Sequence, residues 1–158
     1  MRDKKFVAIH RGGLLTAEQH IQLMRWAREC SLHSIPLMNG PIDSRLVYAL
    51  ETAKDWENKK VKTGIAMKAS VNAHQAAREC KDSVTQAVSR SIGHAVATAH
   101  MADHALGAAL YALKAVNQAG LSVEAEKLWQ IEQLEHMDKN LAELVKTTLA
   151  TKSKSFKL

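Results

Sequence analysis

The chain is short of the residues that build sheets and of those that staple small folds. Aromatic residues account for 4% of its 158 positions while alanine is abundant, so the interior has to come from aliphatic side chains and close backbone approaches. That is the composition of packed helices and not of sheets. The two cysteines, Cys30 and Cys80, cannot supply a disulfide framework. Each closes an Ala-Arg-Glu-Cys quartet on a predicted helix and reads as a small buried hydrophobe in a reducing compartment. The opening MRDKKFVAIH lacks the apolar core and small-residue cleavage site of a secretory signal. Outside one central segment there is no run of about 18 uncharged apolar residues, so a cytoplasmic protein with no membrane partner is expected. Also missing are a nucleophile elbow, a phosphate-binding loop and a paired-carboxylate motif. The formal charge of +6 is not a basic face: residues 1–11 carry +3, residues 146–158 carry +4, and the body between them carries −1. Nucleic acid is therefore not an expected partner.

What the chain does hold is the segment Ser91 to Val116, SIGHAVATAHMADHALGAALYALKAV, whose only formal charges are Asp103 and Lys114. A helix apolar nearly all round is a buried helix. The segment predicts one central helix over about residues 84–118, capped by Ser83, stopped by Gly120 and open to a kink near Gly93 or Gly107. At 1.5 Å per residue it would be roughly 50 Å long. His100, His104, Gly107 and Tyr111 fall on one stripe of it, Gly93 and Ala97 extend the stripe, and Asp103 lies to its side. Buried titratable groups are costly unless paired, so His94, His100, Asp103 and His104 ask for an explanation. Three are open. One is a satisfied polar seam of His74, His94, His100, Asp103, His104 and Tyr111. Another is a divalent metal held by His100 and His104 at i and i+4 with Asp103, His74 or His94 added, although the glutamate of a zincin motif is absent. The third is acid–base catalysis by a His–Asp pair.

The remaining chain reads as further helices of one domain, long enough to need neither disulfides nor a structural metal. Residues 1–13 form an irregular arm, with a short strand conceivable only at Lys5 to Ile9. Thr16 with Gln19 makes a capping box for a helix ended by Pro36. Asp43 caps a second helix and the polar run Glu57-Asn58-Lys59-Lys60 closes it. A third helix, about Val61 to Cys80, carries a ridge of Ala66, Ala69, Ala73, Ala76, Ala77 and Cys80 for close packing, and puts His74 within reach of the central histidines if helices three and four form a hairpin. Ser122 caps an amphipathic final region that Asp138 divides. Residues 124–143 hold six acidic and two basic residues, making Glu124, Glu132, Glu135, Asp138 and Glu143 a candidate contact face. The expected architecture is all-α: a helical bundle of five or six helices over residues 1–150, followed by a flexible basic tail over 151–158.

The segment Gly93-His94-Ala95-Val96-Ala97-Thr98-Ala99-His100-Met101-Ala102-Asp103-His104, continued by Gly107-Ala108-Ala109-Leu110-Tyr111, resembles the signature of bacterial immunity proteins with the immunity-protein-five-like domain. Arg2 to Val7 with His10-Arg11-Gly12-Gly13, the Ala73-His74 and Ala77-Arg78-Glu79 positions, and Trp129-Gln130 share in the resemblance, which covers about residues 1–136. It implies a protein of a polymorphic toxin system that binds and neutralises a cognate toxin without turnover and without a cofactor. The alternative is a metal-binding protein or metal-dependent enzyme built on His100, Asp103 and His104. Metal content of the purified protein separates the two.

Overall fold

The computed structural model describes residues 2–158, which among themselves form seven α-helices and no strand. They are α1 (Ala17–Ser34), α2 (Ser44–Glu57), α3 (Thr63–Glu79), α4 (Ser83–Ala97), α5 (His104–Gln118), α6 (Val123–Glu132) and α7 (Lys139–Ser155). The all-α architecture is as expected, with one helix more than the upper count.

The extra helix arises because the expected rod over 84–118 is two helices, α4 and α5, separated at residues 98–103 and folded back on each other in the most extensive helix contact of the fold. Size accounts for this. A straight rod of about 50 Å would project from a globule about 40 Å across and expose the apolar surface it is made of. Folded back, each half buries its face on the other. Neither glycine makes the break. The Thr98 hydroxyl bonds back to the carbonyl of His94 at 3.2 Å, a contact that competes with the helix ladder. The carbonyls freed beyond it are taken by side chains from elsewhere: His20 donates to Thr98 O at 2.5 Å and Arg11 to His100 O at 3.4 Å.

Most predicted helix ends are realised. Thr16 and Gln19 form a reciprocal capping box, and Asp43, Ser122 and Asp138 accept from backbone amides of the first turns of α2, α6 and α7. At α4 the cap is Asp82, accepting from Thr85 N at 2.8 Å, and not Ser83.

Two apolar clusters share the interior. One joins α2, α3 and α4 through Leu46, Ala73, Val88, Ile92 and Val96; the other joins α1, α5 and α7 through Trp26, Leu106, Leu110, Leu113 and Val145. The alanine ridge of α3 is buried as expected and lets α4 come close enough for Ser70 Oγ to donate to Gly93 O at 3.0 Å. Ser31, Ser91 and the carbonyl of Ala108 form a buried chain linking α1, α4 and α5 at 2.8 and 2.7 Å. Since Ser91 donates to the carbonyl, Ser31 must donate to Ser91.

Two terminal expectations need revision. The arm is two 3-10 turns, Lys4–Phe6 and Ile9–Arg11, held down by buried Phe6 and Leu15, with one Ala8–Leu15 bridge in place of a strand at Lys5 to Ile9. Gly13 is needed there, because a Cβ would overlap the carbonyl of Val7. At the other end the basic tail belongs to the fold. Helix α7 continues to Ser155, Ser153 is buried, and Phe156 and Leu158 pack against the core.

Candidate functional site

The hairpin of α4 and α5, with α3 beside it, draws four imidazoles into a row. His74 comes from α3, His94 from α4, His104 from the start of α5 and His100 from the link. Successive ring centroids lie 5.0, 5.3 and 5.4 Å apart in the order His74, His94, His104, His100. Tyr111 stacks on His94 at 5.2 Å and 12°, and Phe156 meets Tyr111 edge-on at 5.3 Å. All four histidines are half-buried, so the row lies along the surface and not within the core.

Two glycines make the row fit. A Cβ on Gly93 would stand 2.7–2.9 Å from the His74 ring, and a Cβ on Gly107 would stand 2.7 Å from His94 Nδ1. Each imidazole lies flat against the bare backbone of the next helix. The glycines read as kink sites in the sequence are seats for rings.

The hydrogen bonds differ from a seam built on Asp103. His94 and His104 pair through their Nδ1 atoms at 3.2 Å, so one donates and the other accepts. His74 Nδ1 accepts from Arg90 at 3.4 Å, which places the His74 proton on Nε2. Asp103 turns outward to Arg2 at 3.1 Å, and His100 Nδ1 is buried with no partner among the described residues. His74 and His94 therefore meet as rings, at 77° to one another, and not through a hydrogen bond. Arg90 sits one turn before His94 on the same helix face, a spacing at which the sequence does offer a signal for it. No sequence pattern connects Arg2 to Asp103 across the chain.

Burial lowers the pKa of every imidazole in the row. His94 is pushed to about 3 by burial first and then by His74, His104 and Arg90, and His74 to about 4 by burial first and then by Arg90, His104 and Arg78. His104 and His100 are lowered too, burial again leading. The charges bearing on the four rings are Arg2, Arg11, Arg78, Arg90 and Lys152, against Asp103 as the one carboxylate. Lys114 stands 5.7 Å over Tyr111. At neutral pH the row consists of neutral imidazoles inside a cationic rim.

This arrangement suits neither of the chemical alternatives well. A general base at neutral pH works best with a pKa near 7, far above those of His74 and His94. A structural zinc site takes four ligands. Here two nitrogens meet, and among the described residues no group of three His, Cys, Asp or Glu side chains is placed to hold a metal ion. The proposed set His100, His104, Asp103, His74 and His94 is thus gathered on one face but does not converge on a point.

The acidic candidates divide differently. Glu124, Glu132, Glu135, Asp138 and Glu143 are all exposed, but Asp138 is committed to capping α7 and Glu143 pairs with Lys146 at 3.2 Å. Glu126, from the same stretch, is buried against His33 at 2.8 Å.

The row is thus a half-buried polar face on an all-helical domain. The family model described as Imm-5 like putative immunity protein matches residues 13–137, and the chain belongs to that family. The match spans α1 to α6 and leaves outside it the arm that carries Arg2 and Arg11 and the helix α7 that carries Lys152. No curated protein and no solved structure matches. Among the described residues no helix is long and apolar enough to cross a membrane.

Proposed function

We propose that the protein neutralises a cognate toxin of a polymorphic toxin system by forming a stoichiometric complex inside the bacterial cell, with no turnover of its own. The observation that carries this reading is membership of the immunity family across residues 13–137, six of the seven helices. The chemistry of the row agrees with it. Imidazoles held neutral well below pH 7 are poor proton acceptors, yet Nε2 remains for a partner on three of them: His74 keeps an N–H donor, and of the His94–His104 pair one Nε2 donates and the other accepts.

Co-expression tests the proposal. The chain, produced together with the product of the gene directly upstream of its own, is expected to restore growth and to co-purify with that product in a fixed ratio. A chain that neither protects nor co-purifies defeats the reading. Metal analysis of the same preparation addresses the alternative: stoichiometric zinc, iron or nickel that disappears in the His94→Gln/His104→Gln protein would move the function to metal binding.

A further inference from the structure

We infer that the histidine row and its cationic rim are the surface that receives the partner, and that the partner presents an acidic protein segment to it. This rests on the immunity reading above and replaces the acidic face of residues 124–143 as the contact.

Geometry is the first ground. Helices α3, α4, α5 and α7 all contribute to one face, which runs from Arg78 and His74 through His94 and Tyr111 to Lys152 and Phe156. Met67 and Val71 precede His74 on the same stripe of α3 at i, i+4 and i+7 and are 47% and 62% exposed. Apolar anchors beside stacked, hydrogen-bond-capable rings within a charged rim have the make-up of a protein–protein contact.

Charge is the second ground. The body of the chain is close to neutral, yet this face gathers Arg78, Arg90, Lys114 and Lys152 together with Arg2 and Arg11 from the arm, against Asp103 alone. Asp103 is already engaged by Arg2. Among the described residues no ion pair engages Arg11, Arg78, Arg90, Lys114 or Lys152, and carboxylates of a partner would both compensate them and accept from the imidazole N–H groups. The acidic face carries less uncommitted charge. Of its five carboxylates two serve the fold, and Lys127 and Lys139 lie among them in the sequence.

Two triple variants test the assignment in the co-purified complex. The first reverses exposed charges around the row on three helices, Arg78→Glu, Lys114→Glu and Lys152→Glu. The second reverses the other face, Glu124→Lys, Glu132→Lys and Glu135→Lys. Thermal melting first establishes that both keep the wild-type fold. If either set proves unstable, its three single substitutions replace it. Dissociation constants for the upstream product are then measured at low and physiological salt. The row set is expected to weaken binding at least 100-fold and to flatten its salt dependence, with the acidic set within about threefold of wild type. Any other pattern, with wild type still binding, overturns this assignment and leaves the immunity reading in place. Wild type that does not bind defeats the immunity reading itself.

Discussion

The seating of the imidazoles on glycine makes Gly107→Ala an informative substitution. On an ordinary helix, replacing an internal glycine by alanine gains up to about 1 kcal/mol of helix propensity. At Gly107 the new Cβ would stand 2.7 Å from Nδ1 and 2.9 Å from Cγ of His94. The ring cannot simply swing aside, because it is stacked on Tyr111, met edge-on by His74 and hydrogen-bonded to His104. Overpacking costs about 1–3 kcal/mol, and a lost hydrogen bond adds about 1 kcal/mol. Net of the propensity gain, the variant should be destabilised by about 1–3 kcal/mol, a melting point lower by roughly 3–10 °C for a chain of this length. Urea unfolding followed by far-ultraviolet circular dichroism measures it. Two controls tie the effect to the ring. Gly64, also helical, has nothing within 4 Å of a built Cβ, so Gly64→Ala should be neutral or stabilising by up to about 1 kcal/mol. In a His94→Ala background the Gly107→Ala penalty should vanish, a coupling of about 1–3 kcal/mol in a double-mutant cycle. A Gly107→Ala protein that melts at or above wild type, or a penalty that survives without the His94 ring, would refute the seating.

The pH dependence of stability follows from the same rings. The folded pKa values, about 4 for His74 and about 3 for His94, with His20, His100 and His104 also lowered, lie below the unfolded value of 6.5. The unfolded chain therefore binds more protons than the folded one between those limits. Stability is at its full value above pH 6.5 and falls as the pH drops toward 4. With an upper limit of about 1.4 kcal/mol per pH unit for each ring, and solvent screening of half-exposed groups, about 1–2 kcal/mol should be lost between pH 7 and 5. Urea midpoints that stay level over that range would contradict neutral imidazoles. Elsewhere, Glu57 is buried and bonded to Arg28 at 2.5 and 3.0 Å. Glu57→Gln should therefore cost about 2–4 kcal/mol by stranding the guanidinium, whereas Glu57→Leu with Arg28→Met should cost less, as chemical denaturation would show.

Much of the fold can be read from local rules, and the errors have a common cause. Thr16, Asp43, Ser122 and Asp138 cap helices because a side-chain oxygen near a free amide is a local matter, settled within three residues. The break at residues 98–103 is different. No proline or glycine marks it, and the groups that satisfy its carbonyls, His20 and Arg11, lie 78 and 89 residues away in sequence. Apolar periodicity reports that a segment is buried all round but not whether it is buried against a partner or against its own other half. The tail conceals its place in the fold for a similar reason. Three lysines in seven residues look solvated, yet Phe156 finds Tyr111 across the fold.

The site was legible as a set of residues and not as a geometry. On one straight helix His100, His104, Gly107 and Tyr111 make a stripe, with Asp103 beside it as the nearest carboxylate. The hairpin keeps those residues, and keeps His100 beside His104, but brings new neighbours to the rest: His94 crosses from α4 onto Gly107 of α5, His104 pairs with His94, and Asp103 faces Arg2. The glycines carry the clue that was present. His74 lies on Gly93 and His94 lies on Gly107, one device used twice, in which a ring on one helix fills the missing side chain of the next. An imidazole seated in this way has few rotamers open to it, so a partner that binds the row spends little free energy on ordering it. Most polar surfaces made of long side chains lack that property. The rigid rings are therefore the part of this face best suited to specific recognition, and the mobile arginines and lysines around them to attraction at longer range.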